Sequence, residues 1–428
     1  MTKKQNSNVP AIIVCILLFG MISFVTNLAS PMGKVLENQF DVAEWMGKLG
    51  VLCNFIAYAI MGIPAGNMLQ KLGYKKTALT AVAVGFVGVG IQTIAGLLTG
   101  NLAFGVYLLG AFVAGFSMCM LNIVVNPMLN KLAGGGNKGN QLVQVGGSFN
   151  SLMGTAVIFL TGVFVPEIAK AHISQVFPLM GIALGIFALA FVVVLLTNIP
   201  ENAPAAAVKG EKSQYGPMSF RHFVLGAIAI FVYVGVEVGI PNLLNDWLVD
   251  AEKGVGISTS IAGTVTATYW LLMLVGRLAG AALGAKVSAK AMLSVVSAVG
   301  ACLTLGAIFL SPETMVNLPV FKGTAGFGMA SVPVNAALLV LCGLCTSVMW
   351  GGIFNLAVEG LGKYTEKASG IFMALVCGGG ILPLLQNGIV DWTGSYLASY
   401  WVIVAGLAYM LFYALAGAKN VNKDIPVE

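Results

Sequence analysis

Apolar stretches of roughly 20 residues, separated by short polar breaks, recur from Pro10 to Ala418, and that length is what an α-helix needs to cross a bilayer core. The pattern predicts twelve helices, at 10–31, 45–69, 77–98, 101–131, 141–165, 174–197, 221–248, 258–284, 290–310, 333–358, 366–390 and 396–418. Between Asn198 and Met218 it changes: IPENAPAAAVKGEKSQYGPM is polar and rich in Pro and Ala, the composition of a flexible connection. The expected architecture is an all-α membrane protein, with twelve transmembrane helices in two six-helix bundles. The first bundle is 1–197, the linker 198–218 and the second bundle 219–428. A faint repeat supports this division. Ala65, Gly66, Leu69, Lys76, Leu79 and Val82 recur 214 residues later as Ala279, Gly280, Leu283, Lys290, Leu293 and Val296.

Composition excludes a soluble fold, since 58% of residues are hydrophobic and only 9% charged, against about 25% charged in soluble domains. The 54 glycines suit close helix packing in lipid. Net charge is +6, and its distribution explains it better than an anionic partner does. Assigned to alternating sides of twelve spans, 17 of the 22 Lys and Arg fall on the side of the termini and five on the other. Positive charge accumulates on the cytoplasmic side, so both termini are expected there, and no nucleic-acid partner is implied. All seven cysteines lie in apolar runs, where Cys behaves as a small hydrophobe. Cys342 and Cys345 form a CxxC without a nearby His or second pair, which disfavours a metal or redox site. With no HExxH, GxSxG or His/Asp cluster, neither an enzyme nor a cofactor is expected.

The chemistry centres on YVGVEVGIPNLLND, residues 233–246. Glu237 lies about 21 Å along its helix from Phe223, at 1.5 Å per residue, which is membrane depth. A charge there costs roughly 2.5–3.5 kcal/mol on insertion scales and is by default a candidate for ion coupling or substrate contact. The alternative is a structural Glu that pins neighbouring helices. Other polar side chains recur in the spans: Asn27 and Ser30 in the first, Asn122 and Asn126 in the fourth, Gln144 and Asn150 in the fifth, and Asn242 in the seventh. Trp270 in the eighth, Trp350 and Asn355 in the tenth, and Gln386 and Asn387 in the eleventh complete the candidate binding set. Amides that both donate and accept, with aromatics for stacking, fit the hydroxyls and ring faces of a sugar. They are expected to converge on a midplane cavity between the halves. Each amide is also suited to joining helices, and the two tryptophans to the membrane interface. Arg277 reads most simply as a cytoplasmic-end residue serving the loop after its helix.

The loop GNMLQKLGYKK (66–76) resembles the signature loop of the major facilitator superfamily, with Gln70 in place of the usual acidic residue. The resemblance narrows with PAGNMLQKLGYKK (64–76), LNIVVNP (121–127), SFNS (148–151), YVGVEV (233–238), GRLAG (276–280), EGLGKYTEKASG (359–370) and GGGILPLLQNGIVDWTG (378–394). Together these look like the fucose/galactose/glucose permease family. The resemblance implies a twelve-helix inner-membrane importer of monosaccharides, a proton symporter working by alternating access. The family's fucose branch carries acids at the positions occupied here by Ser30 and Asn122, and a Gln at Gly147, whereas its Asn is kept as Asn150. Both acids are missing, so fucose is disfavoured. YVGVEV instead looks like the glucose/galactose branch, which has Glu at this position.

The expected function is thus import of glucose or galactose by a monomer in the lipid bilayer, with Glu237 carrying the coupling proton. The alternative is an amino sugar, a sialic acid or another sugar derivative on the same fold, coupled to sodium or uncoupled.

Overall fold

The computed structural model describes residues 8–42, 44–47, 49–165, 170–200, 215–321 and 326–427. Most of the expected linker, 201–214, lies outside the described residues, as do Glu167 and Lys3, Lys4, Lys48, Lys209, Lys212 and Lys322 of the charge count. The described chain is mostly helical and forms two compact units. The first comprises 1–219, 360–375 and 424–428; the second comprises 220–359 and 376–423.

Among the described residues, seven α-helices build the first unit: α1 (Val9–Phe40), the short α2 (Glu44–Gly47), α3 (Leu49–Ala95), α4 (Gly100–Leu132), α5 (Gly136–Phe164), α6 (Phe177–Leu196) and α12 (Thr365–Ala374). Pro31 is absorbed inside α1, which runs nine residues past the expected end at 31. The expected loop at 66–76 is shorter than its sequence suggests, because helix continues to Leu72 and resumes at Tyr74. Gly73 alone turns out of the helix, at φ 80 and ψ 179, a backbone state open to glycine without penalty. Small residues then let the helices close on one another. A Cβ added at Gly88 would meet the Ala114 backbone nitrogen at 2.5 Å, and one at Gly66 would meet Gly370 Cα at 2.8 Å. The apolar surface turns outward, with Leu189 66% and Leu196 79% exposed on α6. Buried polar groups lie inside: the Ser117 hydroxyl donates to the Ala81 carbonyl at 2.6 Å.

In the second unit α7 (Arg221–Val249) packs against α8 (Thr259–Leu283), α10 (Val334–Thr346), α11 (Met349–Val358), α13 (Gly378–Thr393) and α15 (Trp401–Phe412). The remaining elements are α9 (Ala289–Phe309), the short α14 (Tyr396–Ser399) and a π-helical turn at Tyr413–Gly417. Glycines on α7 bring α13 close, Gly235 against Leu382 and Gly239 against Gln386. Tyrosine hydroxyls fasten α15 and its N-cap to α7: Tyr400, the residue before α15, donates to the Ile240 carbonyl at 2.9 Å and Tyr409 to the Leu225 carbonyl at 3.1 Å.

Two features of this unit differ from the expected helices. Residues 311–333 contain an antiparallel hairpin, β1 (Met315–Phe321) and β2 (Phe327–Pro333), with Asn317 opposite Ser331. The expected helix 333–358 is interrupted at Ser347 and Val348, between α10 and α11.

Candidate functional site

Among the described residues ten helices are long and apolar enough to cross a membrane, which makes this a multi-pass membrane protein. Two polar clusters are built inside its helices, one in each unit.

In the first unit the LNIVVNP stretch puts Asn122 and Asn126 one turn apart on α4, both buried, because residues four apart share a helix face. The Asn122 amide donates to the Tyr58 hydroxyl of α3 at 2.7 Å and to the Met118 carbonyl at 3.1 Å. Asn126 Nδ2 donates to the Asn122 carbonyl at 2.9 Å. Tyr58 thereby fixes which way the Asn122 amide points. Sequence reading missed Tyr58; the available signal was a polar-tipped aromatic in the middle of an apolar run. Gln144 is buried on α5. Asn150 ties α5 to α1 through the Phe19 carbonyl at 2.9 Å, the helix-joining role open to such amides. Asn27 donates to the Ser23 carbonyl and hydroxyl at 2.8 and 3.0 Å, beside Gly154 of α5. The side chain of Ser30 lies outside those described.

The second unit holds the charged cluster. Glu237 sits 16 residues into α7, and its Oε1 accepts two bonds, from the Tyr233 hydroxyl at 2.8 Å and from Arg277 of α8 at 3.1 Å. Side-chain exposure is 14% for the acid and 11% for the base. Removing one partner of such a buried pair costs about 3–5 kcal/mol, because it leaves an uncompensated charge.

Arg277 is therefore not a loop-serving residue at the helix end. It lies six residues before the end of α8, and helical side chains slant back toward the N-terminus, which carries its guanidinium inward. Its Nε donates to the Ser347 carbonyl at 3.4 Å, at the interruption between α10 and α11.

The Tyr269 hydroxyl completes the cluster, donating to the Glu237 carbonyl at 3.3 Å and bonding Thr346 Oγ1 at 2.9 Å. Both candidate tryptophans pack against these tyrosines, Trp350 against Tyr233 with ring centroids 6.3 Å apart and Trp270 edge-on to Tyr269 at 5.3 Å. Asn355 is buried on α11. Gln386 is fully buried on α13 beside Gly239, and both atoms of its amide are without a hydrogen-bond partner. Asn242 and Asn387 are exposed. The structure thus packs Trp350 against Tyr233 and Trp270 against Tyr269, the two tyrosines that bond Glu237, pairs Asn122 with Asn126, and leaves Asn242 and Asn387 on exposed faces. A carboxylate bonded by one phenol and one guanidinium, away from bulk water, can hold or release a proton and bind polar solutes.

Among curated proteins, the glucose/galactose transporter of Brucella abortus biovar 1 (strain 9-941) is 29% identical over 98% of this chain and 97% of its own length. The L-fucose-proton symporter of Escherichia coli (strain K12) is 21% identical over 92% of this chain and 89% of its own. In structure, the chain is similar to FucP, a Major Facilitator Superfamily transporter crystallised in the outward conformation. The TM-score is 0.78 with 20% identity, covering 94% of this chain and 97% of that one. The proton:xylose symporter XylE bound to 6-bromo-6-deoxy-D-glucose follows at TM-score 0.72 and 13% identity, covering 96% of this chain and 97% of that one. The sequence pattern of the Major Facilitator Superfamily matches residues 12–383, so the chain belongs to that superfamily and is a transporter rather than an enzyme.

Proposed function

We propose that the protein is a secondary active importer of glucose or galactose, driven by protons and working by alternating access. The observation that carries this reading is the likeness to a glucose/galactose transporter along 98% of the chain. Glu237 takes the coupling proton, and the amides and aromatics predicted from sequence bind the sugar. Twelve spans in two six-helix bundles are supported by the ten candidate helices, by the break at Gly73 that divides the 47-residue α3, and by α5 with its 29 residues. The excess of Lys and Arg on one side supports cytoplasmic termini in the inner membrane.

A second reading, import of an acidic sugar such as a sialic acid, draws support from Arg277, the deep cation that a carboxylate substrate requires. The test is uptake of labelled glucose into proteoliposomes under a proton gradient, a sodium gradient or neither, with galactose, fucose, N-acetylglucosamine and sialic acid as competitors. Accumulation competed by galactose and abolished by a protonophore is expected. Transport of sialic acid or N-acetylglucosamine without glucose flux would replace the hexose reading, and dependence on sodium would replace the proton. In Glu237→Gln, gradient-driven accumulation is expected to disappear while sugar exchange persists.

A further inference from the structure

We infer that Arg277 is a positioning residue for the coupling proton: its charge sets the pH at which Glu237 loads and unloads, and the pair locks α7 to α8 and to the α10–α11 interruption only while the acid is ionised. This rests on the reading of Glu237 as the proton carrier. The geometry is specific. Arg277 reaches Glu237 Oε1 on α7 at 3.1 Å and the Ser347 carbonyl at 3.4 Å, so one guanidinium spans three helical segments. The titratable groups that face the acid are Tyr233 on α7 and Tyr269 on α8. Among the described residues Arg277 is the charged group bonded to it.

A neighbouring cation favours the ionised acid, typically by 1–3 pH units. A proton arriving from the aqueous gradient converts the carboxylate to a carboxylic acid and cancels its half of the ion pair. The guanidinium keeps its charge and loses its ionic partner. The tie from α8 to α7 then weakens from an ion pair to a hydrogen bond between a charged donor and a neutral acceptor, while Tyr269 still holds the Glu237 carbonyl and Thr346. Protonation is thereby read as a loosening of α8 against α7. Ser347 lies where this matters, at the interruption between α10 and α11.

The experiment uses full-length protein in proteoliposomes and compares wild type, Arg277→Lys, Arg277→Gln, Glu237→Gln and the double variant Glu237→Gln/Arg277→Gln. The readouts are the pH profile of the initial rate of glucose uptake and the accumulation ratio. Arg277→Gln is expected to move the pH midpoint upward by about 1–3 units, and Arg277→Lys, which keeps the charge, to stay within about one unit of wild type. An Arg277→Gln midpoint equal to wild type, with Glu237→Gln unable to accumulate sugar, overturns the role of Arg277 and leaves Glu237 as carrier. Wild-type accumulation in Glu237→Gln overturns the proton-carrier reading and this inference with it. If Arg277→Gln fails to reach the membrane, the double variant, which buries no unpaired charge, is expected to reach it. A double variant no better than the single one also overturns the inference.

Discussion

Asn122 offers the sharpest test of the first unit. Its Nδ2 donates to the Tyr58 hydroxyl at 2.7 Å and to the Met118 carbonyl at 3.1 Å, and both Asn122 and Tyr58 are 7% exposed. Asn122→Ala removes both bonds and strips the buried Tyr58 hydroxyl of a donor. An orphaned buried polar group costs about 1–3 kcal/mol, which fixes the expected loss of stability. If the amide also bonds a sugar hydroxyl, a further 0.5–1.5 kcal/mol or so disappears from binding, a rise in KM of about 2- to 10-fold. Tyr58→Phe keeps the amide, still held by Met118, and only loosens its orientation; its KM effect should be smaller. In the double variant the orientation of a missing amide no longer matters, so KM should match that of Asn122→Ala rather than the product of the two effects. The assay is glucose uptake across a concentration series in proteoliposomes at matched protein content, with melting in detergent as the stability readout. An Asn122→Ala protein that melts earlier yet keeps the wild-type KM would refute the placement of Asn122 at the sugar and leave it as helix glue.

Three further outcomes follow from single contacts. Gln386→Leu removes a buried amide that has no hydrogen-bond partner, so the melting temperature should hold or rise, since burying such a group costs about 1–3 kcal/mol; if Gln386 binds sugar, uptake falls all the same, and unchanged uptake removes it from the site. Gly378→Ala presses a methyl against the Phe231 backbone carbonyl, whereas at Gly388 nothing lies within 4 Å. The first should lose about 1–3 kcal/mol by overpacking and the second should melt like wild type; equal melting would refute the contact. Asp250, just beyond α7, accepts the Lys253 and Glu252 backbone N–H groups and the Tyr396 hydroxyl, which hold its carboxyl below the usual carboxylate range. A lowered folded-state value means that this stabilisation is present at neutral pH and fades as pH falls from the ordinary carboxylate range through the depressed one. Asp250→Asn should therefore narrow the gap between melting at pH 7 and at acid pH, and an unchanged gap would argue against the tie.

The helices are legible from sequence because in lipid every backbone amide must be satisfied within its own segment, so length and apolarity suffice. Their ends and interruptions are less so. Pro31 looks like a stop, yet α1 continues, since neighbouring helices can re-satisfy a freed carbonyl. Gly66 to Lys76 looks like a loop, yet one glycine turns the chain. The hairpin at 315–333 is short, and its strands alternate too little to stand out between two apolar runs. At the site, Glu237 is conspicuous because charge at that depth is rare. Arg277 is hidden for the opposite reason. Its position in the chain suggests a helix end, and only side-chain direction on a helix of known length reveals that the guanidinium points inward.

The ion pair also has an electrical consequence. With Glu237 ionised, acid and base sum to zero, and the membrane potential exerts no net force on them. Protonating the acid, as proposed, takes the sum of the pair from zero to +1, and a neutral hexose adds none. An elementary charge crossing the full field exchanges about 2.3 kcal/mol per 100 mV. In the proposed cycle, with Glu237 as the proton carrier, the loaded carrier is drawn toward a negative interior, while the emptied one returns without electrical work. Voltage would then act on a single leg of the cycle, the one that carries sugar inward.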